Sequence, residues 1–240
     1  MPWYYAVAER DHDLQNPTSR AKIRLLGERL RLSGESRVLD VASGKAGPAI
    51  VLASEFGCRV VGIERAPEFV AAARERVAAA GLEARIELRE ADASELAVDA
   101  DSFDAALCLG ASFIWGHIGD AARALLPAVR SAGGIAVGEP FWRRLPLPDG
   151  LDDEGYVSLE ETVARFEQPG VVLTSLIASS HDDWDTYESL HWRALEEWLA
   201  ANPTDPDAAE IRARHERNKR EYLRYTRELF GWAIFVGRRL

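Results

Sequence analysis

The sequence predicts an α/β fold: a mostly parallel sheet of seven strands with helices on both faces. Short apolar β-like runs alternate with helical patterns through the first half of the 240-residue chain, as expected for successive strand–helix–strand units. Proline in the first turn and glycine just past the last turn bracket two of these helices. The length suits one domain, and with 47% hydrophobic residues the chain can bury a sizeable core.

The first half of the chain supplies five of the predicted strands. A helix is expected over residues 18–32, because Ile23, Leu26 and Leu30 share one face. Two more helices are expected between Pro48 and Gly57 and between Pro67 and Gly81. The predicted strands are Arg37–Val41, Arg59–Ile63, a strand around Ile86 and Leu88, Phe103–Leu109 and Gly134–Gly138.

The second half is organised differently. Residues 143–156 are rich in proline and acidic residues and are expected to form a loop. Ser158 and Glu161 have capping-box spacing, which predicts a short helix ending near Pro169. The later predicted elements are a strand at Val171–Ala178, helices at Asp183–Ala201 and Pro206–Phe230, and a final strand at Trp232–Val236. The helical insertion over residues 183–230 is long for a connection, which predicts a lid or binding element.

The composition of the chain indicates which kinds of binding partner to expect. The formal net charge is −10, and the most basic segment also carries Glu216 and Glu221. Nucleic acid is therefore not expected as a partner, because its binding depends on phosphate neutralisation. The two cysteines form no C-x-x-C pair, and no signal peptide or transmembrane run is visible. We expect a cytoplasmic protein that acts on a small molecule and holds no metal; the sequence leaves its oligomeric state open.

The most informative segment follows the first predicted strand. There Asp40 lies near the end of an apolar run, and the small residues Ala42, Gly44 and Ala46 lead to a helix beginning near Pro48. Small residues let a ligand approach the backbone, and a helix start offers unpaired N–H donors. The spacing differs from the dinucleotide fingerprint G-x-G-x-x-G, which argues against a nicotinamide cofactor.

This segment resembles motif I of the class I S-adenosylmethionine-dependent methyltransferases, an acid followed by G-x-G-x-G. Alanine replaces the first and third glycines, and for the loop to tolerate this we expect Ala42 and Ala46 to avoid positive φ. Other motifs of the family fall in register, at Glu64, Glu90–Ala93, Phe103–Gly110, Leu126-Pro127 and Gly133-Gly134. Over its wider length the chain is similar to an uncharacterised branch near the ubiquinone/menaquinone-biosynthesis and cyclopropane-synthase-like methyltransferases, with marks at Gly110–Gly116, Gly138–Trp142, Trp184–Glu188 and Phe230–Trp232.

The resemblance implies a Rossmann-like fold, S-adenosylmethionine as cofactor and methyl transfer to an acceptor that the sequence does not identify. It implies that Glu64 binds both ribose hydroxyls and that Asp92 accepts from the adenine amino group. The cofactor residues it implies are Asp40, Ala42, Gly44, Glu64, Arg65, Asp92, Ala93, Leu109 and Gly110. Taken singly, each acid has an ordinary interpretation as a cap, surface or turn residue; their placement at three successive strand ends favours a site.

Candidates for the chemistry follow the fourth and fifth strands. In methyl transfer the cofactor supplies the electrophile, so the protein must align a nucleophile and, for some acceptors, remove a proton. Glu139, between Gly138 and Pro140 at a predicted strand end, is the first candidate base, and His117 is the second. The alternative for Glu139 is an ion pair with one of the two arginines at 143 and 144.

Substrate-binding candidates lie in the same region and in the insertion: Ser112, Trp115, Tyr187 and His191. Trp184, Leu195 and Trp198 share a helix face with the last two, and such a stripe is typical either of packing or of a pocket. The resemblance also implies that the segment around His12, Gln15 and Asn16 folds over the cofactor. Two other functions stay open at this point: an S-adenosylmethionine-binding protein without catalysis, and a nicotinamide-dependent oxidoreductase.

Overall fold

The computed structural model describes residues 4–95 and 99–240 of the chain. Within these residues seven strands form one sheet in the order β3-β2-β1-β4-β5-β7-β6. Strands β1 to β5 are parallel to one another, and β7 runs antiparallel between β5 and β6. The strands are β1 Arg37–Val41, β2 Arg59–Glu64, β3 Ile86–Glu90, β4 Phe103–Leu109, β5 Val129–Trp142, β6 Val171–Ala178 and β7 Phe230–Arg239.

Helices cover both faces of the sheet, and no helix in the described part of the chain is long and apolar enough to cross a bilayer. Short 3₁₀ turns follow β3, β4 and α5. The helices are α1 Tyr4–Ala8, α2 Arg20–Arg29, α3 Gly47–Phe56, α4 Pro67–Ala79, α5 Ile118–Leu125, α6 Leu159–Glu167, α7 His181–Ala201, α8 Ala208–Glu221 and α9 Arg227–Leu229.

The core has two layers because parallel strands bury both of their faces. One layer packs the sheet against α2 and α3, with Ile23 and Leu52 fully buried. The other packs it against α5 and α6, through Ile118 and Phe166. A smaller cluster joins α1 to α7 and α8, so the N-terminal segment is attached to the insertion. The predicted fold class is confirmed, and each predicted strand is present.

Strand five is longer than predicted. It was expected to end at Gly138, but β5 runs to Trp142, which pairs with Phe230 of β7. A strand ends where its partner ends, and the antiparallel partner is distant in the sequence. Glu139 therefore lies inside the sheet, opposite Ala233, and the prediction that it sits at a strand end is wrong.

The predicted helix Pro206–Phe230 is present, but it is not α-helical throughout. Helix α8 ends at Glu221, a π-helical turn follows at Tyr222–Thr226, and Phe230 already belongs to β7. Across this turn the Tyr222 hydroxyl and the Arg227 guanidinium both donate to Asp185 of α7, at 2.7 and 2.9 Å. The interruption is thus held by contacts with another helix, which no local pattern reveals.

Candidate active site

The site is built at the carboxyl edge of the parallel strands, where Asp40 of β1 is buried beside the loop to α3. Its Oδ2 atom has no hydrogen-bond partner among the described residues. Burial, and secondly the negative charge of Glu64, raise the pKa of Asp40 to about 7. A buried carboxyl oxygen without a partner is costly unless a ligand donates to it, and this one lines a cavity.

The loop after β1 adopts left-handed backbone conformations at three alternate residues. Gly44 has φ of 54°, and Ala42 and Ala46 have φ of 55° and 59°. The expectation that both alanines avoid positive φ is therefore wrong. The left-handed conformation costs an L-residue roughly 1–2 kcal/mol because Cβ crowds the following carbonyl oxygen. Strain of this kind concentrates where a binding loop has to hold a particular shape.

Glu64, at the end of β2, bonds this loop to the start of α4. Its Oε2 accepts from the Gly44 amide at 2.9 Å, and its Oε1 accepts from the amides of Arg65 and Ala66 at 2.9 and 2.8 Å. The Arg65 guanidinium reaches Asp92 Oδ2 at 3.2 Å. Asp92 Oδ1 accepts from the backbone and hydroxyl of Ser94. The acids that follow β1, β2 and β3 thus stand along one edge of the sheet.

A cavity of about 150 Å³ opens between the loop after β1 and the end of β4. The N-terminal segment covers it. Gln15 Oε1 accepts from the Lys45 amide at 2.7 Å, and Asn16 Nδ2 donates to the Leu109 carbonyl at 2.9 Å. The lining residues are Gln15, Asn16, Asp40, Ala42, Ser43, Gly44, Gly47, Pro48, Glu64, Phe69, Leu109, Gly110 and Ala111.

The glycines show how closely this segment approaches the loops. A Cβ at Gly44 would lie 2.2 Å from Gln15 Oε1, and a Cβ at Gly110 would lie 2.1 Å from Asn16 Oδ1. Only glycine leaves room for polar groups at both points, and both residues have positive φ. The open backbone, the Glu64 carboxylate and the unpartnered Asp40 oxygen fit a nucleoside ligand that carries hydroxyl and ammonium donors.

Ala93, in the 3₁₀ turn after β3, packs against the core layer of α5 and α6.

Glu139 lies in a second cavity of about 150 Å³. Its carboxyl is buried, and the Ser112 hydroxyl donates to Oε2. Burial raises the pKa of Glu139 to about 7, although the hydrogen bond from Ser112 acts in the opposite direction. The alternative ion pair is not formed with Arg143, whose guanidinium donates to the carbonyls of Phe230 and Ser179. A half-protonated carboxyl near neutral pH is suited to exchanging protons.

The remaining predicted residues after β4 have different surroundings. His117 is the N-cap of α5: its Nδ1 accepts from the amides of Gly119 and Asp120, and its Nε2 lies 3.2 Å from Asp120 Oδ2. Trp115 is half-buried and packs on the core layer of α5 and α6. Ser112 and His117 line the Glu139 cavity, whereas Trp115 does not.

Tyr187 and His191 line a larger cavity, of about 720 Å³, between α1, α7 and α8. The Tyr187 hydroxyl donates to Glu9 Oε1 at 2.9 Å, and His191 Nε2 lies 2.9 Å from the same oxygen. Trp184 and Leu195 of the predicted stripe are buried and line the same space, so the stripe both packs and forms a wall. Glu154 lines this cavity and the Glu139 cavity.

Sequence reasoning missed Lys45, whose side chain is buried. Its ammonium donates to the carbonyls of Glu9 and Arg10 at 2.6 and 3.1 Å, which connects the loop after β1 to the N-terminal segment. The one local sign of this role is that a lysine stands among small residues in the motif loop. Glu9 and Tyr156 were missed as well, and their importance comes only from partners distant in the sequence.

The fold and this edge of the sheet define a nucleoside-cofactor enzyme of the methyltransferase type, and comparisons with known proteins agree. A family model described as a methyltransferase domain matches residues 38–133. The chain is 30% identical over 243 residues to the uncharacterised protein YjhP of Escherichia coli K12, covering 98% of both chains. It is also 30% identical to 27-O-demethylrifamycin SV methyltransferase of Amycolatopsis mediterranei, over 75% of this chain and 67% of that protein.

Solved structures agree with the curated relatives. The structure of a SAM-dependent methyltransferase from Thiobacillus denitrificans in complex with S-adenosyl-L-homocysteine aligns with a TM-score of 0.92 and 31% identity, over 99% of this chain and 98% of that one. The chain belongs to the class I S-adenosylmethionine-dependent methyltransferases. It is an enzyme of that class with S-adenosylmethionine as its cofactor, so the oxidoreductase and non-catalytic alternatives are set aside.

Proposed function

We propose that this enzyme methylates a small organic molecule at a hydroxyl or amino group, with Glu139 as the general base. One observation carries the proposal: Glu139 is a buried carboxyl with a pKa of about 7, and its cavity is lined by Ser112, the residue that follows Ala111 of the cofactor cleft. Glu139 is preferred to His117 because both ring nitrogens of His117 already face partners within α5.

In the proposed reaction S-adenosylmethionine supplies the electrophilic methyl group and leaves as a neutral thioether. Glu64 and Asp92 would hold the ribose and adenine, and the motif loop with Asp40 would hold the amino-acid end. The acceptor oxygen or nitrogen forms the bond to the methyl carbon as the carbon–sulfur bond breaks, and its proton passes to Glu139. Ser112 keeps the carboxyl oriented through its hydrogen bond.

The acceptor would bind in the cavity between α1, α7 and α8 and would reach Glu139 past Glu154, which lines both cavities. The volume of the cavity between the three helices, about 720 Å³, lies within the range of about 300–1,000 Å³ usual for small-molecule sites. Aromatic side chains and carboxylates share its walls, including Trp184, Tyr187 and Glu188. The relative from Amycolatopsis is named for methylation of a small molecule, which supports the same class of acceptor here.

Substitution of Glu139 tests the catalytic part of the proposal. Glu139→Gln keeps the size of the side chain but cannot accept the proton, so turnover should fall by about 10²–10⁴. The assay is release of S-adenosylhomocysteine with a panel of hydroxylated and amine compounds, and calorimetry should show unchanged S-adenosylhomocysteine affinity. The exposed Glu160→Gln is the matched control. Wild-type turnover by Glu139→Gln at every pH from 6 to 9 would exclude a base role.

Substitution of Glu64 tests the cofactor assignment. Glu64→Gln retains one acceptor oxygen and loses the charge, so it should weaken S-adenosylhomocysteine binding on the order of 2 kcal/mol, about thirtyfold. The exposed Glu68, in the first turn of α4, provides the control Glu68→Gln. Calorimetry that gives equal affinities for both variants would remove Glu64 from the cofactor site.

A further inference from the structure

A group of four polar side chains joins the N-terminal segment to α7. Glu9 and His12 lie just beyond α1, and Tyr187 and His191 lie one turn apart on α7. The side chains of Glu9 and His12 are 7% and 0% exposed, and His191 is largely buried. The group borders the acceptor cavity through Tyr187 and His191, yet the proposed methyl transfer makes no use of it.

The hydrogen bonds assign the proton on His12. Its Nε2 lies 2.9 Å from the backbone carbonyl of Tyr187, which can only accept. Nε2 therefore carries the hydrogen, and in the neutral imidazole Nδ1 holds a lone pair. Nδ1 is buried without a hydrogen-bond partner among the described residues, and so is Glu9 Oε2. These two electron-rich atoms face each other at 3.6 Å.

Two acceptors that face each other in a buried site need a positive charge between them. The ammonium of Lys45 donates to the backbone carbonyls of Glu9 and Arg10 and not to the carboxylate. His191 adds a third possible metal-ligand atom, since its Nε2 lies 2.9 Å from Glu9 Oε1. One atom each of Glu9, His12 and His191 lie within 4.8 Å of one another.

We propose that Glu9, His12 and His191 form a binding site for a divalent transition metal, with Zn²⁺ as the ion that the donor set favours. Two imidazole nitrogens and one carboxylate oxygen are a common zinc ligand set, with bonds of about 2.0–2.2 Å. Ligand atoms of a tetrahedral ion then lie about 3.3 Å apart, so small side-chain rotations close the site.

Such a site ties two distant segments together. Glu9 and His12 belong to the segment that covers the cofactor cleft, and His191 belongs to the helical insertion. Bound metal would hold the N-terminal segment against the helical insertion. Hydrogen bonds within the group would orient the ligands: the Tyr187 carbonyl positions His12, and the Tyr187 hydroxyl positions Glu9. The metal site does not depend on the identity of the methyl acceptor.

The test uses the untagged full-length protein, stripped of metal by a chelator. Titration with Zn²⁺ against a chromophoric competitor should show one equivalent bound, and zinc should raise the melting temperature. Mg²⁺ should do neither, because it prefers oxygen ligands. Co²⁺ in place of zinc should give the visible absorption bands of a tetrahedral site with nitrogen ligands.

Variants locate the site. His12→Gln and His191→Gln should each weaken zinc binding at least tenfold. His215→Gln is the matched control, because His215 is a buried histidine on α8 that faces Glu196 at 3.2 Å outside the group. If His12→Gln does not fold, zinc affinity can be measured on His191→Gln, whose site is less buried, and on Glu9→Gln. Absence of stoichiometric zinc binding would overturn the proposal, and so would an equal loss of zinc affinity in His215→Gln. His12 would then be protonated at Nδ1 and paired with Glu9 instead.

Discussion

Ala42 and Ala46 hold a backbone conformation that normally favours glycine. The loop they belong to begins at β1 and must place the Gly44 amide on Glu64 and the Ser43 amide on the Ile63 carbonyl. Both bonds require the chain to turn sharply, and the left-handed residues produce that turn. The alanines therefore carry strain that the surrounding bonds maintain, at the place where the cofactor approaches the backbone.

Glycine at either position should relieve this strain. Ala42→Gly and Ala46→Gly remove roughly 1–2 kcal/mol of unfavourable backbone energy, while the more flexible unfolded chain offsets about 0.4–1 kcal/mol of it. Ala42→Gly should raise the free energy of unfolding by about 0.5–1 kcal/mol, measured by urea denaturation. The gain should be smaller for Ala46→Gly, because Ala46 is fully buried and its methyl group loses packing. Ala71→Gly, at an exposed position of α4, should lower the free energy of unfolding by an amount similar to the gain for Ala42→Gly. Equal destabilisation in all three variants would mean that the loop alanines are unstrained.

The elements that cover the edge of the sheet are α1, α7 and α8. They are joined by contacts that are distant in sequence: Arg214 of α8 donates to the Tyr5 hydroxyl of α1, and Tyr187 of α7 donates to Glu9, just beyond α1. The π-helical turn before α9 is an interruption of the kind often found at functional sites. The hydrophobic cluster between these helices is small and polar contacts supplement it, so helices around a cavity of this size are suited to opening and closing.

Hydrogen exchange can test whether the insertion is a lid. S-adenosylhomocysteine alone should protect residues 4–17, because Gln15 and Asn16 lie over the cofactor cleft. Addition of a compound that supports turnover should further protect α7 and α8, which line the acceptor cavity. Strand β6, at the far edge of the sheet, serves as the unaffected reference. Identical exchange of α7 and α8 with and without both ligands would make the insertion a packing element only.

On the scale of the whole molecule, the strand order reverses between β1 and β4. Connections leave these two strands in opposite directions, so a crevice forms outside their carboxyl ends. The loop after β1 and Gly110 after β4 meet at this point and line the cofactor cavity. Two buried carboxyls, Asp40 and Glu139, lie near the same edge. The topology thus concentrates costly buried acids in the region where the chemistry takes place.

These acids should make stability depend on pH. The folded pKa values of about 7 lie above the ordinary values of 3.8 and 4.5, so between these limits the folded state binds more protons than the unfolded state. The contribution of each group to the free energy of unfolding therefore falls as the pH rises from 5 to 8. The decrease is on the order of 2 kcal/mol for each group.

The double variant Asp40→Asn/Glu139→Gln isolates this contribution. Buried histidines with lowered pKa, His12 and His215, act in the opposite direction in both proteins, so the quantity to follow is the difference between variant and wild type. That difference in free energy of unfolding, measured by urea denaturation at pH 5, 6, 7 and 8, should increase steadily in favour of the variant. A difference that stays constant with pH would mean that neither acid is protonated in the folded protein.

The sequence by itself determined the class of fold, the positions of its strands along the chain and the family. These rest on local signals: apolar periodicity, proline and glycine at helix ends, and an acid after each of three successive strands. The residues it named around Asp40, Gly44, Glu64 and Gly110 come together at one cavity because the carboxyl ends of parallel strands share an edge. Such placement follows from topology alone.

Only the tertiary structure decided the length of β5, the π-helical turn after Glu221, the left-handed alanines and the partners of Glu139, Glu9 and His12. In each case the deciding contact comes from a residue far along the chain or from a loop that two strands hold in place. Periodicity and turn chemistry report on neighbours within a few residues. Strand ends, backbone strain and buried polar partners depend on which distant segments fold against them, and that is decided by packing.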